Sequence, residues 1–341
     1  MSYPERITIL GAGSWGTALA VHLGIAGRVC LLWGRDRTLM EEMSALRENP
    51  RYLPGITIPG QVAFTSSLEE AVGFGDIFFL VLPSHGMRSM LQRLKAVMGP
   101  EDVVRKVFVS CAKGVENHTL LFMSEVVEDE LGIDRAKNCA VLSGPSFAKE
   151  VAQGLPTAVT IASKNVNLAR DLQGMISYGT FRAYTSDDVT GVEVGGAVKN
   201  VLAIAVGIAD GMGLGLNARA ALITRGLREI VRLGVHLGAS PLTFAGLSGL
   251  GDLVLTCTGD LSRNRQVGLR LGHGESLSAI LSSMTMVAEG VKTSRSIHGL
   301  SIKCQCDMPI SRAVYDVIHE GKRPEEAVAS LLDRPLRPEW E

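Results

Sequence analysis

Net charge is almost absent from this chain: 34 lysines and arginines meet 35 aspartates and glutamates, a formal balance of −1. No general field gathers nucleic acid or an anionic membrane, so neither partner is expected and any anion must be held by a local cluster. Cysteine is sparse and unpatterned. Cys30, Cys111, Cys139, Cys257, Cys304 and Cys306 lie scattered, mostly in apolar segments, with no secretory signal ahead of them, which points to a reducing cytoplasm. Cys304-Gln305-Cys306 lacks the spacing and the second pair of a zinc knuckle, so no metal site is expected. Long uncharged apolar runs are missing too. The most membrane-like stretch, Val194 to Ala209, is only 16 residues long and carries Lys199 and Asn200 inside it, which fits a buried helix of a soluble fold. No internal repeat or low-complexity segment occurs; the Pro- and Arg-rich tail from Arg334 reads as a loosely packed end.

What the chain does have is length for two domains, 341 residues with 46% hydrophobic content, and a decisive opening. The run Arg6-Ile-Thr-Ile-Leu10 flows into Gly11-Ala12-Gly13-Ser14-Trp15-Gly16 and a small-residue helix. In this arrangement backbone N–H groups and a helix N-terminus receive a dinucleotide pyrophosphate. Gly11 permits the tight turn, Gly13 leaves room for phosphates, and Gly16 lets the helix lie close on the strand.

Up to about Asp188, β-rich runs alternate with helical spacing, the pattern of a parallel sheet covered by helices on both faces. Strands are expected near Ile7 to Leu10, Val29 to Trp33, Val62 to Thr65, Ile77 to Leu82, Val107 to Cys111, Cys139 to Leu142, Ala158 to Ala162 and Phe181 to Tyr184. Helices are expected over Trp15 to Ala26, Leu39 to Arg47 and Leu120 to Leu131, with a turn-rich loop from Asn49 to Gly60. After Asp188 long Ala, Gly, Leu and Val segments take over. The expected division is therefore a dinucleotide-binding domain over 1–188 and a helical substrate-binding domain over 189–335.

Several polar residues stand where chemistry is expected. At the end of the second strand, Arg35 can accept a 2′-phosphate and Asp36 a free 2′-hydroxyl, which keeps both NADP and NAD open. Lys113 and the turn Ser143-Gly144-Pro145-Ser146 follow strands and face the crevice at strand carboxyl ends. His85, by contrast, suits capping or packing. Lys199 sits among apolar or very small neighbours; desolvation favours its neutral form, which makes it a candidate proton acceptor near neutral pH. Asp252 is placed to bond and orient that cation. Ser262, Arg263 and Asn264 offer a hydroxyl, a guanidinium fork and an amide suited to phosphate oxygens.

Taken together, the chain resembles the NAD(P)-dependent glycerol-3-phosphate dehydrogenase family of bacterial type over nearly its whole length. The resemblance rests on Gly11 to Ala20, Leu32 to Arg35, Lys113-Gly114, Gly144 to Ala148, Glu193 to Asn200, Gly249 to Leu253, Thr256-Cys257, Ser262 to Asn264 and Val287 to Gly290. It implies an N-terminal Rossmann-like doubly wound sheet and a C-terminal all-α domain of the 6-phosphogluconate dehydrogenase C-terminal-like kind. It implies that NAD(P)H is surrounded by Ser14, Trp15, Arg35, Lys113, Ala148, Arg263, Val287 and Glu289. Glycerol phosphate is then held by Lys113, Gly144, Ser146, Lys199, Asp252, Ser262, Arg263 and Asn264, with Asn200 and Thr256 lining the pocket and Lys199 as proton acceptor. The implied reaction is reversible reduction of dihydroxyacetone phosphate to sn-glycerol 3-phosphate, supplying glycerophospholipid synthesis. A ketopantoate or β-hydroxyacid-type reductase is the enzymatic alternative, but it needs carboxylate recognition where this chain offers Ser262, Arg263 and Asn264. A non-enzymatic NAD(P)H sensor would need neither Lys199 nor Asp252. The apolar second domain is compatible with a homodimer.

Overall fold

The computed structural model describes residues 6–284, 286–336 and 338–339. Eight strands, β1 (Ile7–Leu10), β2 (Cys30–Trp33), β3 (Val62–Thr65), β4 (Ile77–Leu80), β5 (Val107–Ser110), β6 (Cys139–Ser143), β7 (Thr157–Ala162) and β8 (Phe181–Ser186), form one sheet. Their order is β3-β2-β1-β4-β5-β6-β7-β8, so the chain starts in the middle and winds outward in both directions. β1, β2, β4 and β5 are buried along their whole length, as strands must be when helices cover both faces. Each lies where its apolar run places it.

One pair departs from the expected parallel sheet. β6 and β7 run antiparallel, with Val141 opposite Ala162, and β8 then follows β7 in parallel. The connection between them holds only the five-residue helix Ala148–Ala152. Such a helix advances about 7 Å, less than half the rise of a five-residue strand, so the chain re-enters the sheet from the end it left. The helix expected from Leu120 begins at Met123 instead. Leu120 takes a φ of 60°, and the Glu125 carboxylate accepts the Phe122 N–H at 2.8 Å, which starts the helix there.

The turn-rich loop after the second helix is fastened down by a side chain. Buried Asn49 donates to the Ala12 carbonyl at 3.0 Å and to Thr17 Oγ1 at 2.8 Å, tying this loop to the glycine turn.

From Val189 onward every named element is helical. The helix Val189–Gly211 is long and apolar enough to cross a membrane, yet 94% of its most apolar window is buried inside the molecule, as in a core helix. It crosses the helix Arg263–Gly272 at backbone contact. A Cβ on Gly207 would stand 2.2 Å from the Arg265 carbonyl oxygen, and one on Gly268 2.1 Å from that of Ile204. Gly211 and Gly272 repeat the contact one turn on. This crossing fixes Lys199 relative to residues 262–264. The six cysteines are all free thiols. In the tail, Arg334 pairs with Asp307 at 2.6 Å and Leu336 is exposed, while Arg337, Trp340 and Glu341 lie outside the described residues.

Candidate active site

At the carboxyl end of β1 the three glycines have different physical reasons. Gly11 has a φ of +125° and its Cβ would meet the Val81 carbonyl oxygen at 2.1 Å; a Cβ on Gly16 would meet the Gly11 oxygen at 1.8 Å. The protein itself demands both. Around a Cβ on Gly13 nothing lies within 4 Å, so the surface there is open to an incoming group. Gly13 is also the N-cap of the helix Ser14–Ile25 and supplies no side-chain acceptor, which leaves first-turn N–H groups aimed at that opening. These features fit the pyrophosphate of NAD(P). Ser14 and Trp15 beside it are half-buried. At the end of β2, Asp36 caps the helix Arg37–Leu46 through the Leu39 N–H at 3.2 Å and pairs with Arg51 at 3.0 Å. Both carboxylate oxygens are engaged. Arg35 is exposed and makes no hydrogen bond among the described residues.

The centre of the cleft is one carboxylate between two ammonium groups. Lys199 Nζ donates to Asp252 Oδ1 at 2.5 Å and to Thr256 Oγ1 at 2.8 Å. Lys113 Nζ donates to Asp252 Oδ2 at 2.7 Å and to the Gly144 carbonyl at 2.8 Å. Lys113 arrives from the end of β5 and Gly144 from the end of β6, while Lys199, Asp252 and Thr256 come from the helical part. Asp252 is delivered by a single π-helical turn, Leu247–Gly251, that opens its helix. That turn packs directly on the long helix, where a Cβ on Gly195 would stand 2.4 Å from the Ser248 carbonyl oxygen.

Burial is the largest influence on Lys199 and brings its pKa down to about 8; the Asp252 charge opposes this and the Lys113 charge adds to it. For Asp252, burial pushes upward, but Lys113 and Lys199 together hold the carboxyl below its ordinary range. An amine of this kind exchanges a proton near neutral pH, and a fixed carboxylate orients it.

The flanking residues form a second network. Asn200 donates to the Lys113 carbonyl at 3.1 Å and the Gly196 carbonyl at 3.3 Å, and accepts from Asn264 at 2.9 Å. Asn264 in turn accepts the Gly290 N–H at 2.9 Å. Asn200 therefore spends both amide hydrogens inside the protein, whereas Asn264 keeps one for another acceptor. Ser262 Oγ accepts the Arg265 N–H at 3.2 Å as the N-cap of the helix Arg263–Gly272, leaving its proton to donate outward. Arg263 is exposed and has no hydrogen bond or ion pair among the described residues. Ser146 Oγ donates to the Gly144 carbonyl at 3.1 Å. Ala148 opens its short helix half-buried, and Val287 is exposed just ahead of the helix Glu289–Lys303.

Lys113, Gly144, Lys199, Asp252 and Thr256 thus meet directly, Asn200 and Asn264 brace them, and Arg35 and Val287 make none of these bonds. Three buried polar contacts lie beyond the residues singled out from the sequence. Ser84 bonds to Glu289, Arg265 is buried against Asp210 at 2.8 Å, and buried Glu193 accepts from Ser124 Oγ at 2.6 Å. The Pro83-Ser84 pair at the end of β4 is the signal in the sequence that marks the first of these, and His85 in the same turn is exposed.

Comparison with known proteins places the chain in a family. The family description NAD-dependent glycerol-3-phosphate dehydrogenase N-terminus matches residues 6–169, and its C-terminus counterpart matches residues 188–329. A Geobacter sulfurreducens protein named glycerol-3-phosphate dehydrogenase (NAD(P)+) is 50% identical over 335 residues, covering 98% of this chain and 99% of that one. A Nitratidesulfovibrio vulgaris protein of the same name is 51% identical over 334 residues, covering 98% and 100%. The crystal structure of glycerol-3-phosphate dehydrogenase from Coxiella burnetii superimposes with a TM-score of 0.91 at 40% identity, covering 97% of this chain and 100% of that one. With a Rossmann-like sheet, an all-α C-terminal part and matches along both halves, this chain belongs to the NAD-dependent glycerol-3-phosphate dehydrogenase family of NAD(P)-dependent oxidoreductases.

Proposed function

We propose that this protein is a glycerol-3-phosphate dehydrogenase that reduces dihydroxyacetone phosphate to sn-glycerol 3-phosphate, reversibly, and so feeds glycerophospholipid synthesis. The observation that carries the reading is the buried Lys199 ammonium, 2.5 Å from Asp252 and 2.8 Å from Thr256, at the strand ends that carry the glycine turn. Bound NAD(P)H supplies the hydride that adds to C2 of the ketone. Lys199 donates a proton to the ketone oxygen in reduction and removes it from the C2 hydroxyl in oxidation. Asp252 keeps that ammonium aimed, and its charge partly offsets the burial that lowers the Lys199 pKa. Gly144, Ser146, Thr256 and Asn200 shape the pocket around the triose.

The phosphate is assigned to Ser262, Arg263 and Asn264. Each has an uncommitted donor in the structure: the Ser262 hydroxyl proton, the Arg263 fork and one Asn264 amide hydrogen. Gly11, Gly13, Ser14, Trp15, Gly16, Arg35, Lys113, Ala148, Arg263, Val287 and Glu289 are assigned to NAD(P)H. With Asp36 occupied by Leu39 and Arg51, the free guanidinium of Arg35 favours NADPH at this corner.

We place the domain division after Asp188, where the long helix begins at Val189. Six unpaired thiols support a reducing cytoplasm. Exposed Leu242, Leu250 and Val254, grouped around the π-helical turn, support association with a second copy. The decisive assay follows absorbance at the reduced nicotinamide band after dihydroxyacetone phosphate is added with NADPH or NADH. Absorbance should fall, and faster with NADPH; no fall with either cofactor overturns the proposal.

A further inference from the structure

β4 ends at Leu80 and leads through Pro83 into Ser84, at the carboxyl ends of the central strands, beside the glycine turn. Ser84 is buried, and its hydroxyl donates at 2.6 Å and its N–H at 3.4 Å to Oε2 of Glu289, the first residue of the helix Glu289–Lys303. Like Lys113–Asp252, this bond joins the sheet to the helical part across the cleft. Glu289 Oε1 makes no hydrogen bond among the described residues. A carboxylate pinned through one oxygen presents the other in a fixed direction.

The packing around this bond has no slack. A Cβ on Gly114 would lie 2.6 Å from Ser84 Oγ and 3.3 Å from Thr293 Oγ1. The glycine after Lys113 is therefore required by the Ser84 side chain, beyond any need of the turn. Thr293 stands one helical turn after Glu289 on the same face, buried, with a hydroxyl that has no partner.

The geometry points to Ser84 as a positioning residue for the cofactor: it locks the Glu289 carboxylate across the cleft so that Oε1 accepts an O–H or N–H of the nicotinamide nucleoside. A carboxylate only accepts hydrogen bonds, so this corner suits the ribose hydroxyls or the carboxamide rather than the phosphates. The inference rests on the assignment of Glu289 to the cofactor, and the test separates the two.

NADPH is titrated into the full-length protein, and binding is read from nicotinamide fluorescence, for the wild type, Ser84→Ala, Glu289→Ala and the double variant. Ser84→Ala should weaken NADPH binding about fivefold, the scale of one lost hydrogen bond to a charge shared with packing. The KM for dihydroxyacetone phosphate should stay within about twofold, because the phosphate donors lie elsewhere. In the Glu289→Ala background, removing the Ser84 hydroxyl should weaken binding no further. Full additivity in the double variant, or unchanged affinity in Ser84→Ala, overturns the role of Ser84 alone. Unchanged affinity in Glu289→Ala overturns the cofactor assignment of Glu289 and the inference with it. Should Ser84→Ala not fold, Ser84→Gly removes the same hydroxyl and takes its place in the cycle.

Discussion

Asp252 accepts a hydrogen bond from both lysines at the centre of the cleft, and its charge opposes the burial that lowers the Lys199 pKa. Because burial brings Lys199 down to about 8, alcohol oxidation, which needs the neutral amine, should accelerate as pH rises through about 8. Ketone reduction needs the ammonium and should slow over the same range; pH–rate profiles in both directions check the sign. Lys199→Ala should cut kcat about a thousandfold, the usual scale of a positioned acid–base group, and flatten that limb. Asp252→Asn withdraws the charge that raises the Lys199 pKa, so its limb should move toward lower pH. At Arg263, the proposed phosphate ligand, Arg263→Ala should raise KM for dihydroxyacetone phosphate about tenfold or more while leaving weak turnover of free glycerol far less affected. Equal losses with both substrates would contradict the phosphate role. Glu229 obeys a separate pH rule. It accepts from the N–H and hydroxyl of Ser311 at 3.0 and 2.7 Å, and burial pushes its carboxyl up from 4.5 to about 7. A raised folded-state pKa contributes stability that is complete below about 4.5 and lost as pH rises through about 7. Melting temperature should therefore decline across that window, and Glu229→Gln should reduce the slope.

Among the elements, the crossing of Val189–Gly211 with Arg263–Gly272 does most to assemble the site, since one helix brings Lys199 and the other Arg263 and Asn264. Alanine at Gly207 would gain about 1 kcal/mol of helix propensity. Its Cβ, however, would sit 2.2 Å from a backbone oxygen that cannot move alone, and overpacking of this kind costs about 1–3 kcal/mol or more. Crowding wins. Gly207→Ala should lower the melting temperature by several degrees and raise KM by displacing Arg263 and Asn264, the proposed phosphate ligands, whereas alanine at Gly213, with a φ of +71° and open surroundings, should show only backbone strain and no change in KM. Most strands were legible as short apolar runs bounded by turn residues, and β8, Phe181–Ser186, as an alternation of buried and exposed side chains. The antiparallel return of β7 was not, since strand direction depends on where the intervening chain lies in space, and Ala148–Ala152 carries no mark of it. Likewise the start at Met123 turned on one Glu125 bond to the Phe122 N–H, which apolar spacing extending back to Leu120 conceals.

For the whole molecule, the cleft closes through bonds that join the sheet to the helices: Lys113 to Asp252, Asn200 to the Lys113 carbonyl, and Ser84 to Glu289. A ligand that binds only the folded cleft stabilises the whole by mass action, about 2.7 kcal/mol at a hundred times Kd. Saturating NADPH should raise the melting temperature by several degrees in one cooperative transition. A shift confined to one of two separated transitions would show that the sheet and the helical part unfold independently. If the exposed Leu242, Leu250 and Val254 meet a second copy, sedimentation should give twice the chain mass, and Leu250→Glu with Val254→Glu should return it to a monomer.

By itself the sequence determined the glycine turn, the alternation of strands and helices, the change to helix after Asp188 and the unusual setting of Lys199, because each is written in local spacing and residue type. The tertiary structure alone decided that Lys113 and Lys199 share one carboxylate, that Asn200 and Asn264 brace each other, and that Ser84 holds Glu289 from 205 positions away. Those relations depend on distances between separate elements, which are set by how closely backbones pack at glycines and by which buried polar groups must find one another.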